Sequence, residues 1–299
     1  MLHYVDHVIL SVDDLGGAAR DYATTLGFAV CAGGVHPGMG TQNRLIVLDP
    51  TYVELIARTP GAEVSPLSPI GAMLRRGPGP IGFALASDDI DADVAAMRGR
   101  GLTVDGPVDG RLEWSPGQGR GWRTARLVEP EAWRLPFIIQ HDAEGIERLR
   151  KIAAPDPLTP HPLGAVAVPH VIVAVRDLQE GLGAYERVFG LRHDERDDAM
   201  LEAHTARLPL ATGAIVLASP RGEGVGPIAR GLAARGDGLY SIALTIDDLP
   251  RAVDLLRGAG VGVRVHEPRG WLEGAYPDPA RLHGARLELV PAGPNVEER

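Results

Sequence analysis

His7–Leu15, HVILSVDDL, is the stretch that decides the fold, because it recurs three more times. The other copies read GFALASDDI from Gly82, HVIVAVRDL from His170 and SIALTIDDL from Ser241. Each is a run of Val, Ile, Leu and Ala, which is strand-like, leading into a turn that carries Asp. A short carboxylate there can accept from the free N–H groups of a starting helix. The helix that follows keeps apolar spacing, as in Ala18, Tyr22 and Leu26, or Val94, Met97 and Leu102. Each helix is expected to stop at a glycine, the residue best suited to the left-handed turn of a helix end. These are Gly27, Gly101, Gly190 and Gly260, lying 20, 19, 20 and 19 residues beyond the four opening positions. In the first copy three strand candidates follow: FAVCA at 28–32, RLIVL at 44–48 and YVELIA at 52–57. A unit of strand, helix and three strands, repeated four times at fixed spacing, sets the architecture before any single residue sets the chemistry.

Outward from the repeat, units one and two fill residues 1–141 and units three and four fill 169–292. Between them, 142–168 ends in the Pro-rich APDPLTPHPLGAVAV, lacks the repeat and reads as a linker. PAGPNVEER closes the chain, with 293–299 a polar tail. The expected fold is α+β: four βαβββ modules paired into two tandem domains. A chain of 299 residues has ample core for two. The net charge of −9 argues against nucleic acid and against anionic membrane surfaces, both of which call for clustered Lys and Arg. Cys31 is the sole cysteine, so no intrachain disulfide forms. No apolar stretch nears the roughly 20 residues of a membrane-spanning helix. The opening MLHYVDHVILSV reads as a strand rather than a signal peptide, and a cytoplasmic location is the default.

The pattern resembles the vicinal oxygen chelate superfamily, which includes glyoxalases, bleomycin-resistance proteins and extradiol dioxygenases. The likeness covers nearly the whole chain. The first half is similar to the glyoxalase-like domain family through DHVILSVDDL, GGVHPGMGTQN, TYVELIA and LPFIIQ, and PHVIVAVRDL and HGARLELVP carry it in the second half. The resemblance implies half-open barrels around a pocket. In metal-using members, His and Glu on the first and last strands of paired modules hold a divalent cation. Such ligands suit Fe, Mn, Zn, Ni or Co without naming one.

Carried over residue by residue, the resemblance makes His7 and Glu54 the metal candidates of the first domain and His170 and Glu288 those of the second. Period-2 alternation places His7 with Val5 and Ile9 on one face, and Glu54 with Tyr52 and Ile56. A carboxylate in so apolar a run needs a partner, proton or metal. The set is broken, however. Gly82 and Ser241 stand where partner histidines belong, LPFIIQ offers Pro136 and Phe137 in place of a Glu, and GAIVLASP has no carboxylate. His36, in the Gly/Pro-rich GGVHPGMGTQN, is a candidate catalytic residue: a third ligand, a general base or a hydrogen-bond donor. Otherwise it is a loop imidazole satisfied by carbonyls. His204, His266 and His283 are spare, and surface or turn roles suit them better.

Tyr52, Trp122 and Arg123 are the substrate-binding candidates. Trp114, Trp122 and Trp133 fall within twenty residues and could line a pocket for a flat ligand, or pack strand edges. Arg123 and Arg126 could hold a carboxylate, or simply face water. GPGPIG precedes a strand instead of following one, so a phosphate loop and a nucleotide cofactor are not expected. No Gly-x-Ser-x-Gly elbow is present. Three readings stand: an enzyme of the lyase, isomerase or dioxygenase type acting on a small oxygenated molecule, a metal-free small-molecule binder, and a scaffold. The chain is expected to be a monomer or a homodimer.

Overall fold

A computed structural model describes residues 2–36, 38–128, 134–198, 201–222, 224–266 and 274–292. The first module is β1 (Leu2–Ser11), α1 (Leu15–Thr24), β2 (Cys31–His36), β3 (Thr41–Val47) and β4 (Tyr52–Arg58). A short helix α2 (Pro69–Leu74) leads into the second: β5 (Gly79–Ser87), α3 (Ile90–Gly99), β6 (Val104–Ser115), β7 (Gln118–Leu127) and β8 (Phe137–His141). Helix α4 (Gly145–Ala153) and strand β9 (Ala165–Ala167) precede the third module. That module is β10 (His170–Ala174), α5 (Leu178–Phe189), β11 (Asp194–Asp198), β12 (Ala203–Pro209) and β13 (Ala214–Pro220). After α6 (Gly226–Arg235) comes the fourth: β14 (Gly238–Ile246), α7 (Leu249–Gly258), β15 (Val263–His266), β16 (Gly274–Pro277) and β17 (Leu287–Pro291).

Two sheets result, in the order β2-β3-β4-β1-β5-β8-β7-β6 and β11-β12-β13-β10-β14-β17-β16-β15. In each, the opening strands of two modules lie antiparallel at the centre, and each opening strand runs parallel to the closing strand of its own module. The first sheet curls until its edges meet: Leu112 of β6 reaches within 3.2 Å of where a Cβ on Gly34 of β2 would stand.

The repeat chemistry holds in most of its details. Gly27, Gly101, Gly190 and Gly260 all take positive φ, between 67° and 81°, just beyond their helices. Asp89, Asp177 and Asp248 cap theirs by accepting from the N–H three residues on, whereas Asp14 makes no such bond. Two sequence expectations shift. FAVCA is not a strand as such: β2 starts at Cys31, and Phe28 lies in the core. The stretch expected as a Gly/Pro loop is half strand, with Gly33–His36 in β2 and Thr41–Asn43 in β3.

One apolar core runs between the two sheets. It takes Val8, Leu10, Leu55 and Leu85 from the first, Val171, Ile215, Leu217 and Leu244 from the second, and the inner faces of α1, α3, α5 and α7. Bonds cross the same seam: Tyr22 Oη donates to Leu282 O at 3.2 Å, and Arg235 donates to Pro78 O and Pro80 O at 2.6 and 2.9 Å. The opposite, concave faces carry separate clusters. Helix α2 lays Ile70, Met73 and Leu74 against Ile9, Ile56 and Ile81, and α6 lays Ile228 and Leu232 against Ile172, Val216 and Ala218. Residues 142–168 therefore do more than connect the halves. Helix α4 sets Leu149 and Ile152 on Leu45, Val47 and Tyr52, and β9 pairs with β14. Among the described residues no helix is long and apolar enough to cross a membrane.

Candidate functional site

The concave face of the first domain, between the α2 and α4 plugs, is where polar side chains collect. His7 on β1 and Glu54 on β4 are both buried, with His7 Nε2 at 4.0 Å from Glu54 Oε2. His36 reaches the same carboxylate from the end of β2, its Nε2 at 3.4 Å from Glu54 Oε1. Asn43 lies between them, donating from Nδ2 to Glu54 Oε1 at 2.6 Å and contacting His36 Nε2 at 3.1 Å. The His36 ring is fixed from behind by Thr41 Oγ1, 2.8 Å from Nδ1. Asn43 is held in turn through its Oδ1, which accepts from Gly34 N at 2.7 Å. Gly33 makes that approach possible, because a Cβ there would fall 2.1 Å from Asn43 Oδ1.

Asp6 is the residue that sequence reasoning missed. Alternation would send it to the face opposite His7. The register of β1 against β5 slips between Leu2 and Val5 and again between Val5 and His7, a bulge that redirects side chains. Val5 consequently joins Val8 and Leu10 in the intersheet core, while His7 and Ile9 face the concave side. Asp6 Oδ1 lies 2.8 Å from His7 Nδ1 and 3.3 Å from His141 Nε2, and Arg148 of α4 donates to Asp6 Oδ2. Burial pushes the Asp6 carboxyl up, but Arg148, His141 and His7 outweigh it and hold the group well below the usual carboxylate range. A buried, ionised Asp6 is an acceptor for both rings, so His7 turns its Nδ1–H to Asp6 and its Nε2 edge to the Glu54 side.

Tyr52 stacks on the His7 ring at 4.6 Å, and Phe137 meets it edge-on at 5.4 Å. Tyr52 is thus brought to the site as a packing partner of His7. Trp122 and Arg123, adjacent on β7, are sent to opposite faces. Trp122 pairs in register with His141 on the concave side. Arg123 forks onto Asp91 of α3 at 2.6 and 2.9 Å, away from His7 and Glu54, so the structure does not bring it to this site. Arg126 pairs with Asp105 at 2.8 Å. Trp133 lies outside the described residues.

In the second domain His170 Nε2 lies 3.2 Å from Glu288 Oε2, and Tyr276 Oη donates to Glu288 Oε1 at 2.8 Å. Burial, with Glu288 alongside, pushes the Tyr276 hydroxyl well above its ordinary value. Of the spare histidines, His266 packs edge-on against Tyr276 at 5.5 Å, His204 pairs with Asp197 at 2.7 Å, and His283 pairs with Asp21 at 2.9 Å.

A divalent metal is what the resemblance implies, and the residues present do not fit one. Of four strand positions in the first domain, two hold His7 and Glu54. The third is Gly82, where the Met73 methyl lies 2.2 Å from the place of a Cβ, and the fourth is Phe137. Among the described residues no three His, Cys, Asp or Glu side chains are grouped so as to hold a metal ion.

Paired βαβββ modules curled around a buried His place the molecule in the glyoxalase, bleomycin-resistance and dioxygenase superfamily. The chain belongs to its glyoxalase-like domain family, whose model matches residues 5–189. A second model, Glyoxalase/Bleomycin resistance protein/Dioxygenase superfamily, matches residues 169–275. Among solved structures, a hypothetical protein from Staphylococcus aureus aligns with TM-score 0.67 at 14% identity, over 96% of this chain and 99% of its own. A mutant 4-hydroxymandelate synthase from Streptomyces coelicolor aligns with TM-score 0.65 at 16% identity, over 97% and 92%. A fusion of a xylose isomerase-like TIM barrel with 4-hydroxyphenylpyruvate dioxygenase aligns with TM-score 0.63 at 16% identity, over 100% and 51%. At these identities the likeness is one of fold. No curated protein matches the chain in sequence.

Proposed function

We propose that the first domain is the working half of an enzyme that transfers a proton on a small oxygenated molecule, as lyases and isomerases do. One observation carries this: Glu54 and His36, a carboxylate and an imidazole 3.4 Å apart, stand together on the concave face, where Asn43 bonds the carboxylate and Thr41 holds the ring. A pair at that distance can take a proton from a substrate and pass it on. Glu54 is anchored through Oε1 by Asn43, which leaves Oε2 on the side of His7. His36, a quarter exposed, is the member that can exchange its proton with water. Asp6 fixes the ring of His7, and the apolar side chains of α2 and α4 keep water from the ends of the face.

A metal-free binding protein is the second reading. It is favoured by the Tyr52 stack and the Phe137 edge on His7, which make that ring a wall of a pocket.

Deuterium uptake from D2O separates the two. A panel of α-hydroxy and α-keto acids and simple carbonyl compounds is incubated with the protein and followed by mass spectrometry. The enzyme reading expects exchange at carbon that is lost in Glu54→Gln and unchanged by a chelator. No exchange across the panel, or exchange indifferent to Glu54→Gln, overturns it. Exchange abolished by chelator and restored by one cation would reinstate a metal.

A further inference from the structure

Among the described residues two arginines are buried, and they differ in what satisfies them. Arg148 is paired with Asp6. Arg120 of β7 has no carboxylate partner among the described residues. Its Nη1 donates to Ile152 O at 2.9 Å, and its guanidinium carbon lies 5.9 Å from the Trp122 ring. A guanidinium is seldom buried without an acid beside it. The Ile152 carbonyl belongs to the C-terminal turn of α4, whose partial charge offsets about half of one positive charge. The other edge of the guanidinium, formed by Nε and Nη2, bonds nothing among the described residues, and protein does not close over either atom. Such an edge is the fork that grips a carboxylate through two parallel bonds.

Strand order turns Arg120 into the barrel that holds Glu54. On β7, Ala125 lies in the intersheet core and Arg123 reaches Asp91 outside, so Trp122 and Arg120 take the concave side. The bond to α4 agrees, because α4 packs on Tyr52 and on Leu45, the register partner of Glu54. Arg120 is itself in register with Leu112, the residue that meets Gly34 where the sheet edges close. Gly34 N–H holds Asn43, and Asn43 holds Glu54. The cation and the acid therefore stand on either side of that closure. Tyr52 is in reach of both: burial raises its hydroxyl well above the ordinary value, Asp6 and Glu54 add to that, and Arg120 and Arg148 oppose it.

We infer that Arg120 is an anion anchor in the first-domain site, and that the molecule bound there is an organic acid whose carboxylate lies on the Nε–Nη2 edge. The inference rests on the reading of the first domain as the working half, and it narrows the small oxygenated substrate to an acid. Trp122 covers one side of the guanidinium, which favours a flat ligand without occupying the fork. With its acid group fixed at Arg120, the remainder of the ligand extends across the concave face toward Glu54 and His36.

Benzoate and benzamide, alike in shape and different in charge, test the anchor when titrated into the full chain by isothermal calorimetry. Wild type is expected to bind benzoate saturably and about tenfold or more tighter than benzamide, the margin of a hydrogen bond to a charged group. Arg120→Gln should bind the two alike. Arg120→Lys keeps a charge and a donor for Ile152 O but lacks the fork, and should retain only part of the preference. Melting curves without ligand show whether α4 stays docked in each variant. No saturable benzoate binding, no preference over benzamide in wild type, or a preference that survives Arg120→Gln overturns the proposal. Should Arg120→Gln fail to fold, an undiminished preference in Arg120→Lys overturns it instead. If deuterium exchange is absent while the benzoate preference is lost in Arg120→Gln, the role of Glu54 falls and the anchor stands. Exchange on acids that proceeds in Arg120→Gln with unaltered KM removes the anchor alone.

Discussion

The two domains share one topology and have kept different halves of the same set of positions. Register aligns them: Ile9 pairs with Glu54 where Ile172 pairs with Val216, and Ala84 pairs with Phe137 where Ala243 pairs with Glu288. Each domain thus retains its central His and one carboxylate, on opposite flanks. In the first, Glu54 stands 3.4 and 4.0 Å from two imidazoles, and His7 is oriented by a separate acid, Asp6. In the second, the position of Asp6 is Pro169, and Glu288 closes directly on His170 and Tyr276 with both oxygens engaged. A carboxylate with both oxygens bound within the protein is a brace, whereas one with an oxygen to spare remains available for chemistry. The difference between the domains lies less in which residues remain than in what satisfies them.

The largest effect should come from the acid that the second domain lacks. Asp6→Leu strands Arg148, a guanidinium buried against it, and is expected to lower stability by about 3–5 kcal/mol, the usual cost of leaving a buried charge unpaired. Pro169→Ala, at the equivalent place, should cost less than about 1 kcal/mol. Urea titrations followed by circular dichroism compare them, and equal losses would mean that Asp6 is not the keystone of its domain. The same acid sets a pH dependence. The folded Asp6 carboxyl is held below its unfolded value of roughly 3.9, so its contribution is complete above that pH and is lost as pH falls below it. Wild type should weaken steeply below about pH 4, and Asp6→Asn should flatten that limb.

Exchanging the two glutamates for glutamine sharpens the contrast between brace and available acid. Glu288→Gln weakens two charge-assisted contacts in a buried setting and should cost about 1–3 kcal/mol in stability, with deuterium exchange intact. Glu54→Gln should abolish exchange and cost less stability, because Asn43 and His36 can still bond an amide. Stability loss in Glu54→Gln with exchange preserved would reverse the assignment of the domains.

Much of this molecule is legible in its sequence because the repeat is strict. Four apolar runs, four acidic turns and four glycines at constant spacing define the modules, and the family resemblance pairs His7 with Glu54, whereas the alternation that groups Val5 with His7 is undone by the bulge. What escapes is whatever breaks periodicity. PIGAML and GPIARGLAAR are too short, or too rich in Gly and Pro, to announce α2 and α6, yet they fill the concave faces. Asp6 is hidden by the bulge, since alternation assigns neighbours to opposite faces. His141 and Arg148 meet Asp6 across 135 and 142 residues, a separation at which no local pattern carries information.

The smallest expected effect tests whether the modules are equivalent even where their sequences match. Asp177 accepts from Glu180 N at 2.9 Å and Asp248 from Arg251 N at 3.0 Å, so replacing either by Ala should cost about 1 kcal/mol. In a chain of this length that is a drop of roughly 2–4 °C in melting temperature. Asp14 occupies the same place in the first module and makes no capping bond. Its carboxylate lies 2.6 Å from where a Cβ on Gly17 would stand, folded against the first turn instead of bonded to it. Asp14→Ala should therefore shift the melting temperature by less than half as much. A full-sized loss at Asp14 would show that its charge alone, near the positive end of α1, contributes as much as a formed hydrogen bond, and that the first module keeps its cap by field rather than by contact.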